Sequence, residues 1–249
     1  MIFLPLALIS KALIRMRKPQ DMNLKQKKEL YYFLAGFVSE NKREKFENII
    51  PGRTRHISIV LEDIFQPHNA SAVLRSCECF GIQDVHIIEN RNKYEVNPDV
   101  ALGSSKWLSL YSYNQQAENT EQCLQSLKDS GYRIIATSPH NDDETPETLP
   151  LERKIALVFG TEKEGLSQVV LRMADGFVKI PMYGFTESLN ISVSAALLIR
   201  SLSERLRKSD IGWQLSEEER LDLLISWARV VVKNPDMLEK KWRNDELTE

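Results

Sequence analysis

Apolar residues fall into two spacings along this chain, and each predicts a different element. Leu30, Phe33, Leu34, Phe37 and Val38 recur at helical intervals, so an amphipathic helix is expected over 24–38, with Lys25, Lys27 and Lys28 on or near its outer face. Pro51-Gly52 breaks the chain, and Arg53 and Arg55 lead into a strand over 57–61. Short β-rich runs follow at 85–88, 107–111, 133–137, 155–159 and 177–180, with helical patterns between most of them at about 69–80, 117–130, 166–174 and 189–207. The strands are near-continuously apolar, as strands covered on both faces must be. An α/β fold with a mainly parallel sheet is expected. The stretch 216–241 is helical, opened by a Ser216/Glu219 capping box and divided by Pro235. Neither a repeat nor a low-complexity linker interrupts the pattern. The expected division is a basic helical N-terminal extension over 1–54, an α/β domain over 55–208 and a C-terminal helical extension over 209–249.

Composition narrows the class. The 249 residues are 42% hydrophobic and 27% charged, which excludes low-complexity disorder, collagen and disulfide scaffolds. Cys77, Cys79 and Cys123 cannot all pair and fit no zinc spacing, so a cytoplasmic protein without a structural metal is expected. The net charge of −2 is uninformative, but its distribution is not. Residues 1–55 carry twelve Lys/Arg against five Asp/Glu, while the remainder carries a net −9. A basic arm on an acidic body fits a partner that is a polyanion; a solvated charged helix is the plain alternative. The opening MIFLPLALIS is apolar, yet no basic segment precedes it and no small-residue cleavage site follows. It is also too short to span a bilayer, so neither export nor a membrane is expected. Met16 and Met22 offer alternative starts, which would make 1–21 an extension.

No G-x-G-x-x-G follows a strand and no G-x-x-x-x-G-K-S/T occurs, which disfavours ordinary dinucleotide-binding and P-loop proteins. Three segments fall where strands end, the usual place for ligands in such sheets. The first is Asn69-Ala-Ser-Ala-Val-Leu-Arg75-Ser76, opened by Pro67; an arginine on a helix is ordinarily a surface ion pair. Next comes Phe159-Gly-Thr-Glu162-Lys-Glu-Gly165-Leu-Ser167, a strand running through a glycine turn into a helix. The last is Ile180-Pro-Met-Tyr-Gly184-Phe-Thr-Glu-Ser188-Leu189-Asn190-Ile-Ser192-Val193, in which Ser188 is a fair N-cap.

Taken together, N-x-x-A-x-x-R-S, F-G-x-E-x-x-G-L-S and I-P-M-x-G-x-x-x-S-L-N-x-S-V, in this order over roughly 55–205, resemble the three motifs of the SpoU/TrmH class of RNA 2′-O-ribose methyltransferases. Gly103-x-x-Lys106-Trp107 looks like a further element of the class. Within it, the chain is most similar to the tRNA guanosine-18 2′-O-methyltransferases, because about fifty residues before the first strand are too few for the extra N-terminal domain of ribosomal-RNA relatives. The resemblance implies the SPOUT fold with its C-terminal trefoil knot, a homodimer, and S-adenosyl-L-methionine bound near Thr137, Gly160, Ile180 and Leu189. It implies catalysis through Arg75, with Asn69, Glu162, Ser188 and Asn190 orienting it and the nucleotide, and no metal. Asn69 and Arg75 are expected to act across the dimer interface. An arginine is effectively always protonated, so Arg75 is expected to clamp a phosphate and stabilise a developing alkoxide rather than act as a base. Lys25, Lys27, Lys28, Arg53 and Arg55 are expected to meet tRNA. Methylation of ribosomal RNA, a catalytically silent RNA-binding protein and a small-molecule enzyme are the competing functions.

Overall fold

The computed structural model describes residues 22–95, 101, 103–138, 144–161 and 164–246. They fall into two compact units, one built from the chain up to Arg53 together with the chain from Leu215, the other from Thr54–Gln214.

The central unit is a six-stranded, all-parallel sheet. Its strands are β1 (Ile57–Glu62), β2 (Asp84–Ile88), β3 (Ser109–Tyr113), β4 (Arg133–Thr137), β5 (Ile155–Phe159) and β6 (Gly176–Val178), in the order β3-β2-β1-β5-β4-β6. Every residue of β1, β2 and β5 is buried, and the two faces explain why. Ile57, Ile59 and Leu61 pack with Val73, Leu74, Ile199 and Leu202, which come from α3 (Pro67–Cys79) and α6 (Ile191–Arg207). Val60, Ile134 and Val158 pack with Leu124, Leu127 and Val170, which come from α4 (Thr120–Asp129) and α5 (Gln168–Met173). A strand with core on both sides has no polar face to alternate with.

The topology sets where strand ends diverge. From β1 the chain moves outward to β2 and β3; β4, β5 and β6 then fill the other side, with β5 against β1 in the register Leu61↔Phe159. The connections leaving β1 and β5 run in opposite directions, and in open α/β sheets ligands bind beyond the carboxyl ends of strands that part in this way.

The other unit holds α1 (Leu24–Ala35), α2 (Glu40–Ile49), α7 (Glu217–Val231) and α8 (Pro235–Glu246). The pattern over 24–38 ends earlier than expected, because Gly36 caps α1. Helix α2 goes beyond the sequence expectation; Phe46 is its one buried residue, too little to produce a periodic apolar signal. The Ser216/Glu219 capping box forms, and a second one, Asn23/Gln26, opens α1. Among the described residues, no helix is long and apolar enough to cross a membrane.

Candidate active site

The loop after β5 is shaped by what Gly160 lacks. A Cβ there would sit 2.1 Å from the Gly165 carbonyl oxygen and 2.7 Å from the Leu166 nitrogen, so only glycine lets the chain fold back on itself. The fold-back is closed by Thr161 and Gly165, which exchange backbone hydrogen bonds of 2.9 and 3.1 Å, and Gly165 supplies the positive φ of 71° that the turn needs. Ser167 ends the loop as the N-cap of α5, accepting from the Val170 N–H. Glu162 lies outside the described residues. One strand away, Thr137 ends β4 and donates its hydroxyl to the Val158 carbonyl at 2.8 Å.

The run after β6 has no regular structure until α6 begins at Ile191. Ile180 packs half-buried against the core, whereas Ser188 and Leu189 face solvent. Asn190, not Ser188, is the N-cap of α6: its Oδ1 accepts from the Ser192 N–H at 2.8 Å and from the Ser192 hydroxyl at 2.6 Å. Its Nδ2 donates to Asn69 Oδ1 at 3.2 Å. The first and third segments therefore meet within one protomer through two amides, with Asn69 buried at the start of α3.

Arg75 stands two turns along α3. It is exposed, and among the described residues no hydrogen bond or ion pair holds its guanidinium. The ordinary fate of a helical arginine, a surface ion pair, is not its fate here. It lines a cavity of about 260 Å³ with Glu78, Cys79, Ala101, Ser104 and Trp107. Trp107 belongs to the Gly103-x-x-Lys106-Trp107 element, in which Gly103 takes a positive φ of 75° before a 3-10 turn.

The basic residues separate into two groups. Lys27 is buried, with Nζ 2.7 Å from Glu218 and 2.9 Å from Asp222. Burial opposes its charge, but hydrogen bonds and Coulomb attraction from these two carboxylates win and raise its pKa. Arg53 is 1% exposed and lies 5.4 Å over the Trp227 ring. Both hold their own unit together, which corrects the expectation that they face RNA. Lys25 stays open to solvent beside Glu29, Lys28 pairs at the surface with Glu217 at 2.6 Å, and Arg55 is half-buried against Asp84.

The sequence profile of the SpoU rRNA Methylase family matches residues 56–200. That span holds the whole sheet and all three segments. The chain belongs to the SpoU family. It is 46% identical over 206 residues to the tRNA (guanosine(18)-2′-O)-methyltransferase of Borreliella burgdorferi, covering 83% of this chain and 93% of that protein. The enzyme of the same name from Thermus thermophilus is 29% identical over 197 residues, 77% of this chain and 97% of its own. Among solved structures, the A. aeolicus TrmH/SpoU tRNA modifying enzyme superposes with a TM-score of 0.68 at 27% identity, over 78% of this chain and 98% of that one.

A SpoU methylase needs a place for its methyl donor, and the donor set of these strand ends suits S-adenosylmethionine. An adenosyl and methionyl group is held by backbone amides, carbonyls and apolar walls more than by charge. The Gly160 fold-back, the irregular run through Gly184 and the half-buried Ile180 offer those groups. Sequence patterning does not single out Glu62 and Asp63, whose only sequence signal is a pair of acids closing an apolar strand. Asp63 takes a positive φ of 51°, and its Oδ1 accepts from the Asn90 and Arg91 N–H groups at 2.7 and 2.9 Å. Glu62 is 2% exposed. Its carboxylate accepts from the Thr120 hydroxyl at 2.6 Å, the Ser167 hydroxyl at 2.7 Å and the Ser167 N–H at 3.0 Å.

Proposed function

We propose that this chain is a tRNA (guanosine-18) 2′-O-methyltransferase that uses S-adenosyl-L-methionine and works as a homodimer in the cytoplasm. The observation that carries the reading is the 46% identity to the Borreliella burgdorferi enzyme over 93% of that enzyme's length. So long a match, 206 residues, reaches beyond the α/β unit into the helical extensions. We also assign the C-terminal half a trefoil knot, on the likeness to the class.

S-adenosylmethionine, held by the loops at Thr137, Gly160, Ile180 and Leu189, supplies an activated methyl group, so no metal is needed. The protein must then align the ribose 2′-hydroxyl and stabilise the charge that develops on its oxygen. Arg75 suits that task because its guanidinium is exposed and uncommitted among the described residues. A planar fork can grip the neighbouring phosphate with two parallel bonds while its charge faces the incipient alkoxide. The proton leaves to that phosphate or to water. Asn69 and Asn190, tied at 3.2 Å, hold the start of α3 against the start of α6, and Ser188 and Glu162 complete the orienting set. Lys25, Lys28 and Arg55 meet the tRNA backbone.

Dimerisation is supported by exposed apolar surface. Ala70, Val73, Leu74 and Ala195 are buried within the unit. Tyr183, Phe185, Leu189, Val193 and Leu197 are all exposed and carried on the loop before α6 and its first turns. Monomers seldom leave such a patch open.

The deciding experiment is transfer of labelled methyl from S-adenosylmethionine to tRNA transcripts, with mapping of the modified nucleotide. Label at the 2′-oxygen of guanosine 18, lost when adenosine replaces that guanosine, is the expected result. Label appearing only on ribosomal RNA, or on no RNA at all, overturns the reading.

A further inference from the structure

The buried carboxylate of Glu62 has no part in the chemistry above, and its position asks for an explanation. It ends β1 at the point where the sheet changes direction, beside the carboxyl end of β5. Burying a carboxylate is costly unless hydrogen bonds replace its water. Three do: Thr120 Oγ1 and Ser167 Oγ donate to Oε1, and the Ser167 N–H donates to Oε2. Two of the three come from a single residue, Ser167, which terminates the loop that Gly160 begins.

The polarity of the network is fixed along its length. Asn90 Nδ2 donates to Thr120 Oγ1 at 2.9 Å, Thr120 donates to Glu62, and Ser167 donates to Glu62 while its own oxygen accepts from the Val170 N–H at 3.3 Å. An acceptor-only group is required at the centre. An amide there would turn one of its two heavy atoms into a donor facing a donor. The loop from Gly160 to Ser167 is thus pinned at both ends: by the Thr161–Gly165 exchange at the start, and by Glu62 at the finish. The 2.7 Å pair between Arg91 and Glu164 at its tip is exposed on both sides and contributes little.

We infer that Glu62 is a positioning residue for the cofactor loop, setting the affinity for S-adenosylmethionine through Ser167 without touching cofactor or RNA. This rests on the reading that the Gly160 loop walls the S-adenosylmethionine site. Calorimetric titration of S-adenosylmethionine into the full-length protein, with steady-state methylation of tRNA, tests both together. Glu62→Gln is expected to weaken S-adenosylmethionine binding and raise its KM about tenfold, the worth of one charge-assisted hydrogen bond, with KM for tRNA unchanged. Ser167→Ala should give a smaller loss in the same direction. The double variant should be no worse than Glu62→Gln alone, because both changes cut the same link. Thr120→Val removes a bond to the same carboxylate from α4 and should leave the S-adenosylmethionine KM where it was.

The inference is overturned if Glu62→Gln binds S-adenosylmethionine like the parent, if the two losses simply add, or if Thr120→Val weakens binding as much as Ser167→Ala. Should Glu62→Gln fail to fold, Ser167→Ala and Thr120→Val still decide the matter, since each removes one hydroxyl. Gly160→Ala separates the two levels. If it binds S-adenosylmethionine normally, the loop is not the cofactor wall and the underlying reading falls. If it loses binding while Glu62→Gln keeps it, only the clamp falls.

Discussion

At the scale of single residues, Arg75 and His86 show how environment decides what a side chain does. Arg75→Ala should lower methyl transfer by about 10²–10³ or more, the usual cost of one preorganised electrostatic contact, while S-adenosylmethionine binding by calorimetry stays close to the parent. Arg75→Lys should fail nearly as badly, because a compact ammonium cannot reproduce a bidentate grip on phosphate. A lysine variant with most of its activity would reduce Arg75 to a point charge. His86 is buried in β2, stacked 4.7 Å from the Tyr111 ring, and burial pushes its imidazole down to about 4. Unfolded, the same ring titrates near 6.5, so between these values the unfolded chain binds the extra proton. Stability from this group is complete above about pH 6.5 and drains away as pH falls toward 4, by about 3 kcal/mol in all. Denaturant unfolding from pH 4 to 8 should show that slope in the parent. His86→Phe, which keeps a stacked ring and removes the titration, should flatten it.

Among elements, the basic N-terminal helix is the instructive case. Charge counting makes α1 an arm for a polyanion, but α1 packs beside the acidic α7, whose Glu217, Glu218 and Asp222 take up Lys28 and Lys27. Lys27→Met should therefore cost stability, about 1–3 kcal/mol, because it leaves two carboxylates facing an apolar side chain. The exposure of Glu218 and Asp222 keeps the loss below that of a fully buried pair. It should leave the salt dependence of tRNA binding unchanged. Changing Lys25 and Lys28 to Gln should do the opposite: stability nearly intact, since surface pairs are worth little, and a slope of log affinity against log salt shallower by about one per lost phosphate contact. Equal salt slopes for the two sets would remove the arm from RNA binding.

For the whole molecule, the apolar patch on α6 and the loop before it sets the expectation. Val193 and Leu197 are 45% and 46% exposed on a helix whose opposite side is fully buried. Replacing both with Glu should convert a dimer into a monomer in sedimentation, and methyl transfer should fall with it if Arg75 works across the interface; Asn69, buried and bonded to Asn190 of its own protomer, stays within one chain. A parent protein that sediments as an active monomer at micromolar concentration would overturn the dimer, and with it the shared site.

The succession of strands and helices in the α/β domain, the mainly parallel sheet and its burial on both faces could be read from the chain alone, because apolar periodicity is a local signature of which sides meet the core. The second of the three segments was legible for a related reason: Gly160 stands where the backbone allows no side chain, and such a glycine marks the sequence, whereas the first and third were read from their resemblance to the class. What an ionisable residue does was not legible. Lys27, Lys28 and Arg53 look alike in the sequence, yet one is buried between carboxylates, one is a surface pair and one lies over a tryptophan. Glu62 carried no pattern of its own, and its role appeared only when β1, α4 and α5 converged on it. Periodicity records contact with a core, which every helix or strand makes along its own length. Charge pairing depends on partners scores or hundreds of residues away, and only the tertiary fold brings them within 3 Å.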